Sequence, residues 1–197
     1  METAPVRYAV VDTETSGLSA DRHRLLQVGV VVVDADGEVL TRWSSLVRPR
    51  RRWFYRVGPT RIHGIHRRDV RHAPPAAEVV RRVAELLHGA RFVAHNSDFD
   101  VAFLERAAAR EGVVLPIVEP LCTLRLSRRL DPERQLSHRL GDVADRYDVA
   151  LLRPHDALAD AEATAAILPH LLRAHAALVA DAELAAEMVQ PAVTPLA

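Results

Sequence analysis

The chain has 197 residues, 49% of them hydrophobic, which is enough for one domain with a sizeable core. Its formal net charge is zero, so no global field attracts a polyanion, and its 26 basic residues are all arginine. One cysteine, Cys122, excludes an internal disulfide and suits a reducing cytoplasm; no signal-peptide pattern opens the chain, and no apolar run approaches membrane-spanning length.

Arg7 to Thr13 reads as a first strand, because Tyr8-Ala9-Val10-Val11 is an apolar run. The run delivers Asp12 and Glu14 at spacing i, i+2, so both carboxylates stand on one face at the strand's end. Two like charges that close repel. The simplest counter-charge is a divalent cation held by oxygen ligands, Mg²⁺ or Mn²⁺. Leu25 to Asp34 is nearly continuous in apolar residues and reads as a buried second strand. Asp34-Ala35-Asp36-Gly37 makes a hairpin turn, and Glu38 to Val47 is a third strand. Short links between the three imply an antiparallel meander.

Arg50 to Arg71 reads as a loop. Between Arg42 and Arg71 ten arginines face one acid, Asp69. Arg50-Arg51-Arg52-Trp53-Phe54-Tyr55-Arg56 interleaves four arginines with three aromatics. Such a stretch either pairs guanidinium with phosphate and stacks rings on bases, or packs locally beneath a solvated face. A helix follows from Ala76 to His88, stopped by Gly89. Arg91 to Ala94 is strand four. Asn96 or Ser97 caps the next helix, which runs to Arg110 with Phe99, Phe103 and Leu104 inward. Ile117 to Leu121 is strand five. Thr123 to Leu130 and Ser137 to Tyr147 are short helices. Asp156 to Val179 is a long one, interrupted by Pro169. These elements make one α/β domain, residues 1–180, and a loose tail, 181–197, on a mixed five-stranded sheet flanked by helices.

Two later stretches give Asp12-x-Glu14 its company: His95-Asn96-Ser97-Asp98-Phe99-Asp100, and His155-Asp156-Ala157-Leu158-Ala159-Asp160. In order and context the three resemble the motifs of the DEDDh 3′→5′ exonucleases. That family includes the epsilon proofreading subunit of bacterial DNA polymerase, ribonuclease T and oligoribonuclease. The resemblance runs from Arg7 to Leu172 and implies a ribonuclease-H-like fold, with a three-strand meander plus two parallel strands. It implies that Asp12, Glu14, Asp100 and Asp160 hold two Mg²⁺ or Mn²⁺ ions around a scissile phosphate. His155, five residues before Asp160, would take the proton from the attacking water, as an imidazole of ordinary pKa near 6.5 can.

The resemblance also implies substrate contacts at Thr15, Gly17, Leu18 and Asn96, and at His63 of the sequence His63-Gly64-Ile65. His66, a further candidate substrate contact, stands where the family more often has Thr or Ser. Arg50, Arg51 and Arg52 are the candidates for holding the substrate backbone. The implied substrates are 3′ ends of single-stranded DNA or RNA, and the products nucleoside 5′-monophosphates. A role inside a DNA polymerase complex is an alternative, as is a nuclease fold kept as a binding module, although every motif position is filled. Nearby acids are expected to point elsewhere. Asp98 lies about 200° around the helix from Asp100, Glu162 stands in the same relation to Asp160, and Asp156 reads as a helix cap. The histidines show no zinc-ligand spacing.

Overall fold

The computed structural model describes residues 6–48 and 56–189, with side chains through Asp181. Its strands are β1 (Arg7–Thr15), β2 (Leu25–Asp34), β3 (Val39–Leu46), β4 (Arg91–Ala94) and β5 (Leu121–Cys122). Its helices are α1 (Thr60–His63), α2 (Arg67–Arg71), α3 (Ala76–Leu87), α4 (Ser97–Arg110), α5 (Thr123–Arg129), α6 (Leu140–Arg146) and α7 (Ala157–Val189).

The strand order is β3-β2-β1-β4-β5. β1 pairs antiparallel with β2, from Arg7 opposite Asp34 to Thr15 opposite Leu25, and β2 pairs antiparallel with β3. β4 lies parallel to β1 on its other side, and β5 parallel to β4. This is the expected meander plus two parallel strands, and the fold is ribonuclease-H-like. The register of β1 against β2 shifts between Glu14 and Thr15. Such bulges bend a strand and re-aim its side chains.

The period-two alternation of β1 sorts its residues between two layers. Ala9 and Val11 face a core shared with α3 and α4, through Val79, Val83, Phe103 and Leu104. Val10 faces α7, through Ala161, Ala165 and Leu168. Asp12 and Glu14 continue the Val10 face and Thr13 the Val11 face. The end of β1 therefore lies between the first turns of two helices, one on each side.

Four expectations need correction. Strand five does not occupy Ile117 to Leu121; only Leu121 and Cys122 pair with β4. Within that span Pro120 removes a ladder donor, and Val118 stands exposed. The stretch read as a loop contains α1 and α2 from Thr60 to Arg71. The last helix does not stop at Val179 or break at Pro169; α7 is one element to Val189. Over Ala157–Asp181 it is long and apolar enough to cross a membrane by length and composition, contrary to the reading of the sequence. A third of that apolar window is buried inside the domain, where α7 packs on β1, β2, α5 and α6.

Candidate active site

β1 delivers Asp12 and Glu14 on its α7-facing side. α7 brings Asp160 from its first turn, and the loop before α7 brings His155. Single ligand atoms of Glu14, His155 and Asp160 all lie within 4.8 Å of one another, close enough to share one cation. α4 brings Asp100 from the opposite layer. The Thr13 hydroxyl reaches across and donates to Asp100 Oδ1 at 2.7 Å.

Glycine makes the approach of α7 possible. Gly29 sits opposite Asp12 in the sheet, and a Cβ on it would fall 2.2 Å from the carbonyl oxygen of Ala157. No other residue would let the start of α7 touch β2 there. The Gln27 side chain accepts from the Ala157 N–H at 3.4 Å on the same contact. Asp156 caps the helix, accepting the Ala159 N–H at 3.1 Å, as its position before α7 led one to expect.

Glu14, Asp100 and Asp160 are buried. With no counter-charge, the cluster resists ionisation. Burial, then repulsion from Asp160, Asp100 and Asp156, pushes Glu14 up to about 8. Burial pushes Asp100 up to about 7 against the Thr13 hydrogen bonds. Burial, then Asp100, Asp160 and Glu14, lifts Asp12 well above the carboxylate range. Burial also raises Asp160, opposed by the backbone N–H of His155, which donates to its Oδ2 at 3.1 Å. The other oxygen, Asp160 Oδ1, is buried and has no partner among the described residues. A buried carboxylate oxygen without a partner is costly, and a hard divalent cation is the partner that this all-oxygen and imidazole donor set suits.

The neighbouring acids do point elsewhere. Both oxygens of Asp98 accept from Arg125 Nη1 at 3.0 Å, and Glu162 pairs with Arg42 Nε at 2.9 Å.

His155 is exposed and held in the left-handed region, at φ 65°. That is an uncommon conformation for a non-glycine residue and one that clusters at functional sites. The two other histidines proposed as substrate contacts behave differently. His63 is buried. Its Nδ1 accepts the Ile65 N–H at 3.0 Å and its Nε2 bonds the Val57 carbonyl at 2.9 Å, so both ring nitrogens are taken by the loop's own backbone. His66 precedes α2 and donates its backbone N–H to Asp69 Oδ2 at 2.7 Å.

The turn after Glu14 is tightly built. Thr15 Oγ1 donates to the Gly17 carbonyl at 2.8 Å. A Cβ on Gly17 would meet the His23 ring at 2.4 Å, and one on Gly58 would meet the Ser16 carbonyl at 2.3 Å. Leu18 is 87% exposed, which excludes simple packing as its role. Asn96 occupies the cap position of α4 at φ 74° without a side-chain cap bond, so it is not the cap the sequence suggested. Arg50, Arg51 and Arg52, with the aromatics after them, lie outside the described residues. Sequence reasoning missed Thr13 and Gly29. A glycine within an apolar strand run was the one available signal, since it marks a close approach.

A family model described as exonuclease, of the RNase T type, matches residues 9–168. The PolC-type DNA polymerase III of Lacticaseibacillus paracasei is 33% identical over 172 residues, which cover 85% of this chain and 11% of that protein. The 3′-5′ exonuclease DinG of Bacillus subtilis is 31% identical over 167 residues, covering 84% of this chain and 18% of that one. The chain thus spans between about a tenth and a fifth of the length of these curated relatives. Among solved structures, Escherichia coli exonuclease I bound to a dT13 oligonucleotide superposes with a TM-score of 0.76 at 17% identity, over 88% of this chain and 42% of that one. Exonuclease X bound to 5′-overhanging duplex DNA gives 0.63 at 28% identity, over 85% and 91%.

Proposed function

The chain belongs to the RNase T exonuclease family, and from that premise we propose that it is a metal-dependent 3′→5′ exonuclease of the DEDDh type. It acts on single-stranded DNA or RNA ends and releases nucleoside 5′-monophosphates. One observation carries the reading: four carboxylates and an exposed imidazole converge at the end of β1, and one buried carboxylate oxygen lacks any partner among the described residues.

Asp12, Glu14, Asp100 and Asp160 would hold two divalent cations, Mg²⁺ or Mn²⁺. Bound there, such ions supply Lewis-acid stabilisation for the attacking and leaving oxygens of an in-line displacement. The chain's own groups do the rest. His155 accepts a proton from the attacking water, because its ring is exposed and its backbone is fixed by Asp160. With its proton passed to His155, the water oxygen bonds to phosphorus and the bond from phosphorus to the 3′ oxygen breaks. That oxygen takes a proton from solvent, leaving a nucleoside 5′-monophosphate and a strand one nucleotide shorter with a free 3′ hydroxyl. Thr13 holds Asp100 in place from the opposite layer. The Thr15–Leu18 turn lies beside the acids and presents Leu18 to the terminal base.

A second reading draws on the PolC-type relatives, in which the matching part is about a tenth of a polymerase. On that reading the domain removes misincorporated nucleotides alongside a DNA polymerase.

The test is incubation with 5′-labelled single-stranded DNA and RNA, with and without Mg²⁺. The reading expects a ladder shortening from the 3′ end only when metal is present. Full activity in excess chelator, or release of label from the 5′ end first, would contradict it.

A further inference from the structure

A second feature lies on the edge of the sheet that carries the acids. β1, β4 and β5 run parallel, so their carboxyl ends share one edge, and ligands of open α/β sheets bind at such ends. At the ends of β4 and β5 a cleft of about 430 Å³ is lined by His95, Leu124, Arg128, His138, Arg139 and Leu140. That volume falls within the range of small-molecule sites. His95 follows the last residue of β4 and stands five residues before Asp100.

The two imidazoles serve as walls. His95 Nδ1 bonds Thr123 Oγ1 at 3.0 Å and its Nε2 bonds the His138 carbonyl at 2.9 Å. Burial holds His95 below its usual pKa, so the ring is neutral near pH 7. His138 Nδ1 bonds Ser127 Oγ at 2.8 Å, and its Nε2 meets Asp131 Oδ2 at 3.2 Å. All four ring nitrogens are therefore taken.

The free donors are the guanidinium groups of Arg128 and Arg139. Both residues are exposed, and among the described residues neither guanidinium makes an ion pair or hydrogen bond, although both backbone carbonyls accept. Arg128 lies on α5 and Arg139 immediately precedes α6; of the neighbouring arginines on these helices, Arg125 is held by Asp98 and Arg146 by the Ser137 carbonyl. The cleft thus pairs an apolar and imidazole surface, on which a base can lie, with two guanidinium forks that match a phosphate.

We propose that this cleft is a second nucleotide subsite, which takes one nucleoside 5′-phosphate unit with its base against Leu124 and Leu140 and its phosphate on Arg128 and Arg139. The assignment rests on the nucleic-acid reading above. The unit comes either from the strand whose 3′ end occupies the acidic site or from a free mononucleotide.

The test is fluorescence anisotropy of a labelled oligothymidylate on the full chain in chelator, across a salt series, with thymidine 5′-monophosphate as competitor. The variants are the double replacement Arg128→Ser with Arg139→Ser, and separately Leu124→Trp, which fills the cleft. The proposal expects strand affinity to weaken by roughly tenfold in both variants. In the arginine variant the log–log salt slope should flatten by about 0.7 for each phosphate left without its guanidinium partner. Loss of mononucleotide competition as well identifies the free nucleotide as an occupant; unchanged competition assigns the cleft to the strand. Coincident binding curves for wild type and both variants would overturn the subsite. Hydrolysis with Mg²⁺ is read separately. Wild-type hydrolysis with coincident binding curves overturns the cleft and leaves the exonuclease reading standing. Weakened binding in the variants without wild-type hydrolysis supports the cleft and overturns that reading.

Discussion

Near their N-termini α4 and α7 each carry an acid that faces the sheet and another, two residues away, that faces out. Asp100 and Asp160 are buried beside Asp12 and Glu14. Asp98 and Glu162 lie on the surface in ion pairs with Arg125 and Arg42. The inner acids have their ionisation opposed by burial and by one another, and the outer acids have arginine partners within 3.0 Å. The outer pairs are solved electrostatics, each worth little. The inner cluster is unsolved without a cation, and so it is the half able to do chemistry.

The contrast breaks most sharply at the acids themselves. Asp12→Ala or Asp160→Ala should lower turnover by about a thousandfold, the upper range for removing one element of transition-state electrostatics. Asp98→Ala and Glu162→Ala should stay within about twofold, as exposed surface changes do. Steady-state hydrolysis of a labelled strand measures both. An inactive Asp98→Ala with a normal Asp12→Ala would reverse the assignment of faces.

A pair of histidines sharpens the same contrast. His155→Ala removes an exposed base and should cost at least about a hundredfold in turnover while leaving the thermal midpoint unchanged. His63→Ala strips partners from the Val57 carbonyl and the Ile65 N–H, and should cost about 1–3 kcal/mol of stability instead. Turnover and thermal unfolding of both variants separate the two roles. Equal losses of turnover at equal stability would mean that the two rings do the same work.

Thr13→Val tests the link between layers. It deletes the hydroxyl that holds Asp100, and losses of about 10–100-fold are typical for partners that orient a ligand. Raising Mg²⁺ should restore part of the activity. Full activity at low Mg²⁺ would show that the hydrogen bond has no orienting role.

Much of this division was legible in the sequence. The spacing Asp12-x-Glu14 on a strand put both carboxylates on one face. The 100° step of a helix turned Asp98 and Glu162 away from their neighbours. What the sequence could not supply arises only when layers meet. Thr13 is an ordinary strand threonine until α4 packs on its face, and Gly29 an ordinary weak strand residue until α7 touches it. α1 and α2 are too short to form by propensity alone, and Ile65 and Val70 anchor that segment against Leu26 and Val57. His63 looked like a free ligand because nothing local reveals which backbone groups will occupy its ring. β5 shrank because Pro120, inside the expected span, cannot donate to the ladder.

The smallest expected effect is the pH dependence of the metal-free protein. Glu14 rises from 4.5 to about 8 on folding and Asp100 from 3.8 to about 7. An acid with a raised folded pKa binds its proton more tightly in the native state. Stability therefore falls as pH climbs from the unfolded to the folded value. Buried His63 and half-buried His95 are shifted down from 6.5 by desolvation and act in the opposite sense only at lower pH. Between pH 6.5 and 8, in chelator, the thermal midpoint should fall as pH rises, and saturating Mg²⁺ should flatten the fall. A midpoint that rises over this window would mean that the acids are not the groups titrating.

The most direct test of the central claim is calorimetric titration of Mn²⁺ into wild type, Asp160→Ala and Asp98→Ala at neutral pH. The inner-acid account predicts saturable binding by wild type and Asp98→Ala, and loss of it in Asp160→Ala. Binding by Asp160→Ala with wild-type affinity and stoichiometry would contradict it.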